Sequence, residues 1–128
     1  MKPFAYYELR GAVVEMFYET LLAEKYTMGQ AASRCLVEFR REILDGRRDA
    51  LVVLAAIFSR VARHEAAALA RFRPELDSLG CLARNPSCWK GLEPDVKERL
   101  REDVRFILEK SPGSTPRRRG TSPSAAAT

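Results

Sequence analysis

Apolar residues recur along most of the chain at the spacing of amphipathic helices, and the recurrence stops near position 110. On a 3.6-residue period, Tyr6, Leu9, Val13, Met16, Phe17, Thr20 and Leu21 share one face, which predicts a helix over Tyr6 to Glu24. Glu8, Glu15 and Glu19 line the opposite face. Gly11 is a mild defect there, costing about 1 kcal/mol relative to Ala. A second helix is announced by Thr27-Met28-Gly29-Gln30, a capping box in which Thr accepts from the third helical amide and Gln reaches back. Tyr26 before it is placed to staple against Ala31. The stripe Met28, Ala31, Ala32, Cys35, Leu36, Phe39 and Ile43 then predicts one continuous helix, stopped by Gly46.

The third helix is expected to start at an Asp49 N-cap. Ala50 to Phe58 is apolar all round, the mark of a helix packed on several sides. Val52 and Val53 also suit a strand, but Ala55, Ala56 and the Ala-rich continuation favour helix as far as Phe72, where Pro74 breaks it. Pro74 to Leu82 reads as a short helix ended by Gly80, and Asn85-Pro86-Ser87 as a turn. Trp89-Lys90-Gly91 completes a loop that folds back onto the body. A last helix runs from Pro94 to about Lys110, with Asp95 near its positive end and Val96, Leu100, Val104, Ile107 and Leu108 as its buried stripe. No large apolar residue follows Leu108, so the remainder has too little to bury to offset ordering entropy. The expectation is an all-α, single-domain bundle of four to five helices over 1–111, with a disordered basic Ser/Pro/Arg/Ala tail over 112–128.

Composition supports one globular domain of 128 residues, 46% hydrophobic and 30% charged, with a core that needs no staples. The net charge of +5 is unevenly placed. Setting Arg117, Arg118 and Arg119 aside leaves 19 basic against 17 acidic residues, so basicity belongs mainly to the tail. The N-terminus has no apolar signal region, and the longest apolar run, Ala50 to Phe58, is too short to span a bilayer. Three cysteines without a Cys-x-x-Cys pair favour reduced thiols. These features predict a cytoplasmic protein with no membrane association.

Candidate chemistry is sparse. His64 with Cys35, Cys81 and Cys88 makes a nominal zinc set, but the spacings fit no zinc template and Cys35 lies mid-stripe. Cys88 beside Trp89 is the most accessible nucleophile, with nothing near it in sequence to activate it. There is no Gly-rich phosphate loop and no Gly-x-Ser-x-Gly elbow. No cofactor, metal or catalytic activity is expected.

Contact residues are easier to nominate. Glu65 falls in the middle of the apolar stripe Leu51, Leu54, Phe58, Val61, Leu69 and Phe72. A carboxylate there must pair with an arginine, mark a bend near Arg63-His64, or face a groove. Arg60, His64 and Arg71 share another side, readable as a basic strip or a solvated face. Glu8, Glu15 and Glu19 suit a basic partner, or form an ordinary exposed surface. Trp89 serves either as a core plug or as an interface anchor. Arg117, Arg118 and Arg119 offer salt-sensitive, non-specific affinity for nucleic acid as an alternative role.

The segment Trp89-Lys90-Gly91-Leu92-Glu93-Pro94-Asp95-Val96-Lys97-Glu98 resembles the Trp-Lys-Gly-Leu loop and Pro-x-Val-Lys helix start of small helical immunity proteins of bacterial polymorphic toxin systems. Tyr26 to Phe39, leading into Leu51-Val52-Val53-Leu54-Ala55, is similar to their preceding helices, while Glu65 to Ser87 is an insertion relative to that pattern. The resemblance implies a non-catalytic protein that binds and neutralises a cognate toxin, and it carries over only Trp89 as a contact residue.

Overall fold

The computed structural model describes residues 6–24, 27–45 and 47–111, and everything said of the structure concerns these. The tail with Arg117, Arg118 and Arg119 lies outside them, as do Tyr26 and Gly46, so the staple and the glycine stop do too. The described chain is all-α. Its elements are α1 (Tyr6–Glu24), α2 (Met28–Glu38), α3 (Arg40–Asp45), α4 (Arg47–Glu65), a 3-10 segment (Ala66–Phe72), α5 (Arg73–Ala83), α6 (Pro86–Trp89) and α7 (Pro94–Lys110). No described helix is long and apolar enough to cross a membrane.

The fold is built around α4. Every residue from Ala50 to Ser59 is buried, as expected of a helix apolar on all sides. It packs against α1, α2, α3, the 3-10 segment, α5, α6 and α7. Ser59, the polar residue in that run, satisfies its hydroxyl by donating to the Ala56 carbonyl at 3.1 Å. α1 presents Tyr6, Val13, Phe17 and Thr20 to the core. α7 presents Val96, Leu100, Val104 and Ile107. α2 starts with the capping box: the Gln30 amide donates to Thr27 Oγ1 at 3.2 Å and the Thr27 amide to Gln30 Oε1 at 2.9 Å.

Five expectations about boundaries need correction. The second helix is divided at Phe39, whose backbone leaves the helical region at φ −107°, ψ 25°. The bend keeps Phe39 and Ile43 against the core while Val37 and Leu44 stay in solvent, 65% and 73% exposed. The central helix begins at Arg47, so Asp49 is not its N-cap but sits in its first turn, where a carboxylate still complements the dipole. It ends at Glu65, not Phe72. There the backbone turns to φ −156°, ψ 79° and continues as 3-10. That break frees Glu65 into solvent and returns Ala68, Leu69 and Phe72 to the core, with the Phe72 and Phe58 rings 5.1 Å apart. Gly80 does not end α5; it is a buried interior residue, and the helix runs on to Ala83. Asn85-Pro86-Ser87 is a helix start rather than a plain turn. Asn85 Oδ1 accepts from the Ser87 amide at 3.0 Å, and Pro86 occupies the first helical position.

The far end is closed by side chains. The Trp89 indole N–H donates to the Ala83 carbonyl at 2.8 Å, tying α6 to the end of α5. Gly91 takes φ +83°, which a residue with a side chain would resist, and lets Leu92 turn back into the core. Across the body, Arg10 of α1 pairs with the buried Asp103 of α7 at 3.2 Å. The Tyr7 hydroxyl donates to Asp95 at 2.8 Å.

Candidate functional site

The helical spacing of Glu8, Glu15 and Glu19 on α1 places all three on the solvent side, and all three are exposed. Over about 16 Å of axis, at 1.5 Å per residue, they flank a smooth strip. Gly11 and Ala12 lie exposed between them, and Leu22 stands 75% exposed near the end. A Cβ added at Gly11 would meet nothing within 4 Å, so no internal packing demands a glycine there. None of the three carboxylates joins an ion pair among the described residues. The face therefore carries concentrated negative charge, small side chains and one apolar residue that its own fold leaves uncovered.

Trp89 proves to be a plug and a surface at once. Its N–H is satisfied internally, it is only half-buried, and the Arg101 guanidinium lies 5.7 Å over its ring. With Ala83, Val104 and Leu108 it forms the apolar floor of a groove of about 670 Å³, rimmed by Arg101 and Arg105. This groove does not adjoin the acidic strip: α7 turns Asp103 toward α1, whereas Arg101 and Leu108 point the other way.

Glu65 is exposed and joins neither of these surfaces. It forms no ion pair among the described residues; the misplaced acid marks the helix break instead. The Arg60, His64 and Arg71 strip is also dispersed. His64 Nε2 is hydrogen-bonded to the Tyr18 hydroxyl of α1 at 2.7 Å. The side chain of Arg71 lies over Gly29 of α2, and Arg60 turns toward α7.

The thiols do not converge either. Cys35 is buried, its thiol aimed at the Val13 carbonyl; burial, with Glu38 nearby, pushes it up to about 12. Cys88 is buried and raised by burial, partly offset by Arg47 and Arg48. Both thiols therefore stay protonated at neutral pH, the opposite of an activated nucleophile. Cys81 is exposed. Among the described residues no group of three or more His, Cys, Asp or Glu side chains is arranged to hold a metal ion.

Two clefts were not anticipated. One, of about 1080 Å³, opens between the α3–α4 junction and α5, with Leu44, Arg47, Asp77 and Cys81 among its walls. Arg48 spans one side of it, donating to the Lys90 carbonyl at 2.7 Å. The other lies between α1, α4 and α7. Its sequence signal was Asp103, which sits with Leu100, Val104 and Ile107 on the buried spacing of α7. A carboxylate at such a position needs a cation brought by another helix. No protein-family model, curated protein or solved structure matches the chain.

Proposed function

We propose that this chain is a non-catalytic protein-interaction module that docks a basic partner on the outer face of α1. In keeping with the sequence resemblance, we propose that the partner is a cognate toxin, neutralised by steric and electrostatic occlusion. The observation that carries the reading is the strip itself: Glu8, Glu15 and Glu19 exposed and, among the described residues, outside any ion pair, around a flat Gly11-Ala12 surface with Leu22 exposed. Such charges accelerate encounter with a basic surface and reject acidic ones, while the small residues allow close backbone approach. Leu22 supplies an apolar contact that loses water on docking, worth about 1.5–3 kcal/mol if fully covered. Trp89 offers a second, separate contact in its Arg-rimmed groove. The raised thiols of Cys35 and Cys88 fit a role without nucleophilic chemistry.

The test is co-expression with a toxin encoded by a neighbouring reading frame. Wild-type protein is expected to restore growth and to co-purify with the toxin. The triple variant Glu8→Lys, Glu15→Lys, Glu19→Lys is expected to fold normally and lose both. Equal protection by the triple variant would remove the α1 face from the mechanism. Absence of any such partner, together with binding of duplex DNA at low salt, would favour the alternative role through Arg117, Arg118 and Arg119.

A further inference from the structure

The cleft between α1, α4 and α7 concentrates positive charge in a way the docking face does not explain. Arg10, Arg60, Arg63, Arg99 and Arg105 all line a space of about 330 Å³. They come from three helices, so the cluster exists only in the folded protein. Asp103 on its wall is already taken by Arg10 at 3.2 Å. The other four arginines face two further carboxylates, Glu102 and Glu109. No ion pair joins these groups among the described residues, which leaves an excess of two positive charges.

Two buried polar groups beside the cleft lack hydrogen-bond partners among the described residues. Arg60 Nε is shielded from solvent and makes no hydrogen bond. A guanidinium N–H left in that state has lost its water without gaining an acceptor, so a ligand that supplies one is favoured. The Tyr6 hydroxyl is the second: the residue is 2% exposed and its oxygen has no hydrogen-bond partner. It lies near enough to feel Asp103, Arg10 and Arg99; burial first, then Asp103, pushes the phenol up to about 12 against the pull of the two arginines.

We propose that this cleft binds the phosphate group of a small phosphomonoester. Guanidinium forks match a tetrahedral oxyanion, and the charge excess equals that of a phosphate dianion. The volume sits near the lower end of ligand pockets, room for a phosphate and a small organic group. Glu102 and Glu109 argue against an extended polyanion, because a nucleic-acid backbone running through the cleft would meet like charge on its walls. The same carboxylates accept hydrogen bonds from hydroxyls on the organic part. The site is separate from the outer face of α1, although Arg105 and Glu109 also line the Trp89 groove, so its fate does not depend on the assignment of the α1 face to docking.

The experiment is a titration of the full chain followed through arginine side-chain Nε–Hε NMR resonances. Inorganic phosphate and ribose 5-phosphate are the probes, with ribose and chloride at matched ionic strength as controls. The Arg60 resonance is expected to shift saturably with both phosphates and with neither control. The exposed-site variants Arg63→Gln and Arg99→Gln are expected to stay folded and to weaken binding by about fivefold or more each. Arg60→Gln is expected to abolish it; should that variant unfold, the other two decide. Shifts that never saturate or that chloride reproduces would overturn the proposal. So would undiminished affinity in Arg63→Gln and Arg99→Gln, or tighter binding at Arg60 of a short single-stranded DNA than of ribose 5-phosphate.

Discussion

Replacing Gly11 with Ala separates helix energetics from packing on the face assigned to docking. Gly11 is an interior residue of α1, a helix of 19 residues. Glycine there is disfavoured against alanine by about 0.8–1 kcal/mol, because it surrenders more backbone freedom on folding. The alanine methyl would meet nothing within 4 Å, so no steric cost offsets the gain. The variant is therefore expected to be more stable by about 0.8–1 kcal/mol. In a domain of this size that raises the thermal midpoint by about 3–5 °C. Circular dichroism at 222 nm during thermal unfolding measures it directly, with urea unfolding to check that the m-value is unchanged. A midpoint that falls, or does not move, would mean that position 11 packs against something and would refute the exposed placement of this face. Gly11→Gln extends the logic: it keeps most of the helical gain while placing a bulky side chain on the strip, so stability rises and partner affinity falls.

Three further outcomes follow from the core and the caps. Thr27→Ala removes the oxygen that accepts from the Gln30 amide and is expected to cost about 1 kcal/mol, read as a lower urea midpoint; no loss would mean the capping box is not formed in solution. In native protein a colorimetric thiol reagent is expected to titrate Cys81 rapidly and leave Cys35 and Cys88 unreacted until denaturant is added; fast reaction of all three would contradict their burial. Stability is expected to fall in alkali, because Cys35 and Tyr6 hold their protons more tightly when folded, each with its pKa raised to about 12. Their contribution is complete below pH 9, where the unfolded thiol begins to ionise, and is lost progressively toward pH 12. Cys35 alone removes about 2 kcal/mol by pH 10.5. Urea midpoints at pH 8 and 10.5 test this, and Cys35→Ala should shrink the difference; an unchanged pH dependence in that variant would assign it elsewhere.

What could be read from the sequence was what depends on neighbours in the chain. The stripes of α1, α4 and α7, the Thr27–Gln30 box and the outward spacing of Glu8, Glu15 and Glu19 are periodic or local features, and periodicity reports which side of a helix seeks the core. Glu65 is discordant in its stripe and the helix does break there, but the direction of the bend depends on where Leu69 and Phe72 find a surface to cover. The split at Phe39 was invisible because its stripe stays in helical phase; only packing on α4 requires a change of axis there. Gly80 looked like a stop signal and is an interior residue in close contact, where an added Cβ would come within 3.3 Å of the Arg84 side chain. The arginine cleft was out of reach for another reason: Arg10 and Asp103 meet across 93 positions of sequence. Asp103 lies on a buried spacing that calls for a cation, but the spacing does not indicate which helix brings it.

Photo-crosslinking inside cells that produce the protein shows whether the outer face of α1 docks a basic partner. A photoreactive amino acid is placed at Ala12, exposed in the middle of the strip, and for comparison at Arg84, exposed beyond the end of α5. Docking on this face should give one discrete adduct with a basic protein from position 12, none from position 84, and loss of the adduct when Glu8, Glu15 and Glu19 are changed to Lys. No adduct at position 12, or one that survives the triple charge reversal, would contradict it.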